Sequence, residues 1–429
     1  MESILQKANT TLQVWEKTSL NDRLAYLPAL ASLLLDNKEE YAKAITTEMH
    51  KPISQSIAEI EKCAVLCSYY YENSTPFLAP KIIKTEASES YVDYEPMGVI
   101  LGIMPWNFPF WQVFRFAVPT LIAGNTVVVK HASNVPKCAE LIQEIFEQAG
   151  FPKGCYQNLS ISSQEVAAVI ANPIIKAVSL TGSEQAGIAV AAEAGKQLKK
   201  CVLELGGNNA FIILEDANLD KAVATAVNAR MQNAGQSCIA AKRFLVHENI
   251  AKDFVEKFKV AVQNLKIGNP LDKETQIASL ARVDLAEELE KQVQQSIQMG
   301  AQLILGGKRN NAFYEPTILT NVTPQMPVFH EETFGPVAAI TTFKTIEEAI
   351  ALSNESQFGL GVSIFTRDID FIKTKISAFK EGAVFINEMV KSDPRLPFGG
   401  IKKSGYGREL SEEGIKEFVN LKTIVINIL

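Results

Sequence analysis

The sequence predicts an α/β protein built on mostly parallel sheets, and three observations predict it. Between about residues 97 and 206, short apolar strand patterns alternate with helical ones, the rhythm of a parallel sheet covered by helices on both faces. A second series of strand-then-helix patterns begins at "AFIILEDANLDKAVATAV" and continues to "EGAVFIN". The tail "LKTIVINIL" is β-rich with nothing after it to pair with, so it is expected to complete a sheet elsewhere or in a partner subunit.

Taken in order, the apolar residues of "RLAYLPALASLLLDNKEEYAKAITTEMH" and "SQSIAEIEKCAVLCSYYY" recur at helical spacing and predict two long helices, punctuated by Lys51-Pro52. Cys63 and Cys67 stand four apart on one face of the second, which suits core packing. Tyr91 to Tyr94 alternates like a strand. The strands of the first series read "GVILGIM", "NTVVVKHA", "GCYQNLSI", "KAVSLTG" and "KKCVLEL"; the helices between them read "FPFWQVFRFAVPTLIA", "VPKCAELIQEIFEQAG", "SQEVAAVIAN" and "EQAGIAVAAEAG". The second series adds "KRFLVHENIAKDFVEKF", "AAITTFKTIEEAIALSN" and "GVSIFTRDIDFIKTKI". Sheets of this kind bind ligands at the carboxyl ends of their strands.

Composition narrows the function. A chain of 429 residues with 47% hydrophobic content can bury cores for two or three domains. Its net charge of −6, with basic and acidic residues interspersed, argues against nucleic acid as a partner. No apolar run approaches the roughly 20 residues that span a bilayer, so membrane insertion is not expected. Six cysteines in so long a chain are no disulfide framework, and with four histidines no cluster has zinc-ligand spacing. Reduced thiols in a cytoplasmic protein without a bound metal are expected.

Several residues stand out chemically. Cys238 in "NAGQSCIAAKRFLVHE" follows an irregular, glycine-bearing turn; it is either a small buried hydrophobe or a thiol whose pKa nearby backbone N–H groups lower. Glu204 in "VLELGGNN" lies inside an apolar strand just before a double glycine. It is either on a wet strand face or buried with a raised pKa suited to acid–base work. Asn107 in "MPWNFPFWQVFRFAVP" stands at a strand's carboxyl end, where an amide can stabilise an oxyanion. Arg115, on the apolar helix that follows, needs an anion, either a structural Asp/Glu or a substrate carboxylate. Gly182 and Gly187 bracket a strand-to-helix turn with Ser183 as candidate N-cap, a place for a pyrophosphate or a plain turn. Lys130 ends its strand as a phosphate ligand or a solvated strand end.

Together these elements resemble the aldehyde dehydrogenase superfamily over nearly the whole chain. The matching motifs, in the family's order, are "PWNFP", "GNTVVVKHAS", "LTGSEQAG", "LELGGNN", "GQSCIAAKR", "EETFGPV" and "LPFGGIKKSGYGRE". The resemblance implies a Rossmann-type cofactor domain over 1–77 and 97–206 and an α/β catalytic domain over 207–416. It also implies a small oligomerisation arm, 78–96 and 417–429, whose intersubunit sheet makes a homodimer or homotetramer. It implies Cys238 as the nucleophile, Glu204 as the base that activates water, and Asn107 with the Cys238 N–H around the oxyanion. For the cofactor it assigns Lys130 to the adenosine ribose, Gly182 and Ser183 to the pyrophosphate turn, and Glu332 with Phe334 to the nicotinamide half. Pro105 and Trp106 line the same groove.

Three places after Lys130, where many NAD-using members carry a glutamate, this chain has Ser133. A carboxylate there would repel a 2′-phosphate and a serine would not, so NADP is expected to serve at least as well as NAD. Arg115 and Ser392 occupy positions where succinate-semialdehyde dehydrogenases carry an arginine and a serine. The pair is expected to grip a distal carboxylate between Trp111 and Phe398, with Arg395 as a second candidate anchor. Ala240 stands where some of these enzymes have a second active-site cysteine, which excludes a Cys-x-Cys redox lock. The chain begins near its first helix, without the strand pair most members carry there, which raises the expectation of a shortened start. The rival readings are a broad-specificity or CoA-acylating aldehyde dehydrogenase, a cysteine hydrolase lacking any evident histidine base, and a nucleotide-binding oligomeric scaffold.

Overall fold

The computed structural model describes residues 1–428; Leu429, the last residue of the tail, lies outside them. The first 77 residues form five helices rather than two: Glu2–Trp15, Leu20–Leu24, Leu27–Asp36, Lys38–Met49 and Ile53–Phe77. Local chemistry places the breaks. Ser19 caps the second helix by accepting from the Asp22 N–H, and Pro28 sits in the first turn of the third. His50 ends the fourth in the left-handed region, and Pro52 caps the fifth. The first helix was not anticipated, although its Leu5, Ala8, Leu12 and Trp15 are spaced to form one buried stripe.

A six-stranded sheet follows in the order Gly405–Tyr406, Lys200–Glu204, Ile175–Thr181, Val99–Met104, Thr126–His131, Tyr156–Asn158, parallel except at the first strand. Successive residues feed opposite faces. Ile100, Val127, Val129 and Val202 join one apolar cluster with the helices of residues 24–67 and 111–149, while Val99, Leu101, Val128, Val178 and Leu203 join another with Leu5, Leu12 and Val190. Gly187, in the helix Glu184–Lys196, lets that helix lie against the next strand, since a Cβ there would come within 2.6 Å of the Leu205 methyls.

The second sheet has seven strands in the order Gln302–Leu305, Thr317–Thr320, Val337–Phe343, Ala241–His247, Asn209–Ile213, Val362–Phe365, Val384–Ile386. It is parallel except at Gln302–Leu305. Its alternate residues also divide between two buried clusters. The pattern had not singled out the helix Val283–Gln298 or the strands at Gln302 and Thr317.

The tail finds its partner inside the chain: Val419–Ile426 pairs antiparallel along its length with Glu89–Pro96, which also takes Lys81–Ile82 on its other side. Gly405–Tyr406, sequentially within the second unit, pairs with Lys200–Glu204 of the first sheet and carries the Phe398–Glu409 segment to the end of that strand. Among the described residues no helix is long and apolar enough to cross a membrane.

Candidate active site

Cys238 is held by an unusual piece of backbone. After the helix Leu219–Met231, Asn233, Ala234 and Gly235 all take left-handed φ values of 54°, 49° and 75°. A Cβ on Gly235 would overlap the Gly335 carbonyl, so only glycine fits. Asn233 Nδ2 donates to the carbonyls of Asn107 (2.9 Å) and Gln236 (3.1 Å), and the Gln236 side chain accepts from the Ala281 N–H (2.9 Å). Beneath the loop, fully buried Lys242 donates to the carbonyls of Ser237 (2.8 Å) and Cys238 (2.9 Å) and pairs with Glu332 (3.0 Å). Arg230, also fully buried, ties the same loop to Thr333 and Gly335. Conformations this costly persist where the surroundings over-determine them.

Of the six cysteines, Cys238 alone is not fully buried by its surroundings; Cys63 and Cys67 lie in the core as expected. Its thiol is not activated at rest. Burial pushes it up to about 11, against the pull of Lys242 and Arg115. Of the two readings left open for this thiol, the lowered pKa finds no support: the loop's carbonyls face Lys242, and desolvation of the thiolate outweighs the nearby positive charge.

Asn107 follows the strand Val99–Met104 and is buried, with Nδ2 donating to the Gln236 carbonyl at 3.0 Å. That leaves its second amide hydrogen for another acceptor. Glu204 ends its strand buried, not on a wet face. Neither carboxyl oxygen has a hydrogen-bond partner among the described residues, and a Cβ on Gly399 would lie 2.7 Å from Oε1. Burial, reinforced by buried Glu409, holds this carboxyl well above the ordinary range, and burial also raises Glu409. Arg115 acts on both charges: its Nε pairs with Glu409, its Nη2 donates to Thr181 (3.3 Å), and its guanidinium lies 4.7 Å over the Phe398 ring. Of the two anions left open for Arg115, the structural one is therefore present.

Two cavities meet at Cys238. The first, about 700 Å³, is lined by Pro105, Trp106, Asn107, Lys130, Gly182, Ser183, Glu332 and Phe334. Ser183 caps the helix Glu184–Lys196, and Trp106 meets Phe334 edge to face at 5.9 Å. Lys130 has no ion-pair partner among the described residues, and burial lowers its pKa, so it is a cation with capacity for a polar ligand. Ser133 does not line this groove; it lies exposed on the turn just beyond Ala132, which does. The second cavity, about 370 Å³, is lined by Trp111, Arg115, Ser392 and Phe398, all four expected substrate residues, and by Lys62. Arg395 does not reach it: it is exposed and bound by two hydrogen bonds to Asp393.

Sequence reasoning missed Lys62, Lys242 and Glu409. For Lys62 the available signal was a pair of charges, Glu59 and Lys62, three apart beside the buried stripe of Ile60, Cys63 and Cys67. Lys242 and Glu409 stood inside quoted motifs, but nothing local told their buried heads from solvated ones.

A thiol between a groove at the strands' carboxyl ends and a small cation-lined chamber, with an amide on the groove wall and a buried carboxyl near enough to act on the thiol's charge, is the arrangement of a thiol-dependent aldehyde-oxidising enzyme. The chain belongs to the aldehyde dehydrogenase family, whose model matches residues 1–424. It is 49% identical over 425 residues, 98% of this chain and 94% of the relative, to a protein of Synechocystis sp. named probable succinate-semialdehyde dehydrogenase [NADP(+)]. It is 46% identical, over 99% of this chain and 92% of the relative, to the succinate semialdehyde dehydrogenase [NAD(P)+] Sad of Escherichia coli K12. The succinic semialdehyde dehydrogenase of Streptococcus pyogenes, solved with NADP+, superposes with a TM-score of 0.97 at 38% identity, over 100% of this chain and 95% of that one.

Proposed function

We propose that this chain oxidises succinate semialdehyde to succinate with NADP+ or NAD+ as acceptor, NADP+ being used at least as well. The observation that carries the reading is the place of Cys238, on the wall shared by the two cavities. Lys130, Gly182, Ser183, Glu332, Phe334, Pro105 and Trp106 would hold the dinucleotide, and Ser133, on the exposed turn just beyond the groove, would bring no carboxylate to repel a 2′-phosphate. Bound there, the dinucleotide supplies the acceptor for the hydride that leaves the Cys238-bound carbon.

The rest is done by side chains of this chain. Cys238 gives its proton to solvent water and its sulfur adds to the aldehyde carbon; the spare amide hydrogen of Asn107 and the Cys238 N–H steady the resulting oxyanion. Loss of hydride leaves a thioester. Glu204, deprotonated, takes a proton from the water that attacks the thioester carbon; the C–S bond breaks, the carboxylic acid departs, and the proton held by Glu204 returns to the sulfur. The raised pKa of Glu204 makes it a better base once ionised.

The partner and location follow from the same reading. The open edge of Val419–Ile426 supports a homodimer or homotetramer, and six free thiols suit a reducing cytoplasm. The test is NADPH formation against a panel of aldehydes with both dinucleotides, combined with mass spectrometry of enzyme quenched in turnover. Succinate semialdehyde is expected to give the highest kcat/KM and an acyl adduct on Cys238. Undiminished turnover by Cys238→Ser, without an adduct, would overturn the reading, as would transfer of the acyl group to CoA in preference to water.

A further inference from the structure

We propose that the Lys62 ammonium is the anchor for the substrate's distal carboxylate, held in place by Ser392 and Trp111; this rests on the reading of the substrate above. Lys62 Nζ donates to Ser392 Oγ at 2.7 Å and lies 4.1 Å over the Trp111 ring, inside the chamber that Cys238 closes. These contacts turn the head inward where a surface lysine would reach out to water.

The charges around it are nearly all matched. Glu59 is held by Lys51 and by the Phe110 and Trp111 N–H groups, at 2.9 and 3.0 Å. Asp393 is held by Arg395 (2.6 Å), Lys391 by Glu388 (2.9 Å) and Arg115 by Glu409. Lys62 has no carboxylate within ion-pair reach among the described residues, so the chamber keeps one positive charge with only a hydroxyl and an aromatic face to meet it.

That arrangement opposes folding, because a desolvated ammonium facing a second cation costs energy in the empty site. Burial first, and the Arg115 guanidinium second, bring Lys62 down to about 8, while Cys63, Glu59 and Asp393 pull it up. A carboxylate in the chamber would relieve both penalties at once. Arg115, already neutralised, then lends shape and a weak field in place of the direct grip expected for it.

The experiment compares wild type, Lys62→Met and Lys62→Arg on succinate semialdehyde and on butanal, which has the same carbon number and no carboxylate, at saturating NADP+. The ratio of kcat/KM for succinate semialdehyde over butanal is expected to fall by about tenfold to a hundredfold in Lys62→Met, mainly through KM, and to recover in part in Lys62→Arg. The ammonium is lost as pH rises through about 8, so wild-type KM for succinate semialdehyde should rise above that pH while KM for butanal does not. In Lys62→Met the difference should vanish. If wild type prefers succinate semialdehyde and Lys62→Met keeps that ratio, the anchor is overturned and the function stands. If wild type shows no preference for the carboxylated aldehyde, the function reading itself falls. Equal loss on both aldehydes in Lys62→Met would assign Lys62 to the fold and overturn the anchor.

Discussion

Arg115, Glu204 and Glu409 form a buried cluster in which Glu409 pairs with the guanidinium and Glu204 feels both at a distance, so protonation of one carboxyl depends on the other. Glu409→Gln should have two effects. Removing a like charge lowers the pKa of Glu204, so the acid limb of the kcat–pH profile should move to lower pH. Arg115, left buried without its anion, should make the variant about 3–5 kcal/mol less stable in urea unfolding. A limb that moves upward, or a variant as stable as wild type, would count against this account of the cluster. At Cys238 the direction is equally definite. Because burial holds the thiol near 11, alkylation of free enzyme by iodoacetamide should speed up about tenfold per pH unit from 7 to 9. A rate that levels off below pH 8 would show a thiolate stabilised at rest. Ser133→Glu should shift the kcat/KM ratio of NADP+ to NAD+ toward NAD+ by about tenfold or more, through repulsion of the 2′-phosphate. An unchanged ratio would remove Ser133 from the cofactor site.

The elements that carry these residues were largely legible because their signals are local. Each parallel strand of the first sheet and most of its helices lie within a few residues of where apolar periodicity put them, as with Thr126–His131 read from "NTVVVKHA", whereas the antiparallel edge strand Gly405–Tyr406 was not anticipated. The misses are also local in origin. Prolines and a left-handed His50 cut the amino-terminal helical pattern into short pieces, and the mostly polar helix Val283–Gln298 shows a narrow stripe of Ala286, Leu289 and Val293 that is easy to pass over. The loop before Cys238 was recognised as irregular, but its three successive left-handed residues were not, since only the contact with Gly335 demands them. Gly235→Ala should lose most aldehyde oxidation and at least about 1–3 kcal/mol of stability, because the left-handed backbone and the blocked Cβ act together. Wild-type thermal stability in that variant would contradict the geometry.

For the molecule as a whole, pairing of Val419–Ile426 with Glu89–Pro96 settles half of what the tail needed and leaves the other half open. Its free edge carries Leu421 and Val425 at 63% and 56% exposure, an apolar edge of the kind proteins normally cover. Light scattering should find a dimer or tetramer, and Leu421→Lys with Val425→Lys should shift it toward monomer; a wild-type monomer would assign the edge no partner. The sequence by itself determined the α/β class, the parallel sheets and the residue types at the reacting centre, because periodicity and motif spacing are properties of neighbours along the chain. Which charges are spent and which stay free was decided only in three dimensions. Lys62 and Ser392 are 330 positions apart, and Arg115 and Glu409 meet across about two thirds of the chain. Desolvation and Coulomb energy depend on distance in space, so no local pattern could announce that one cation would be neutralised and the other left without an anion in the same chamber.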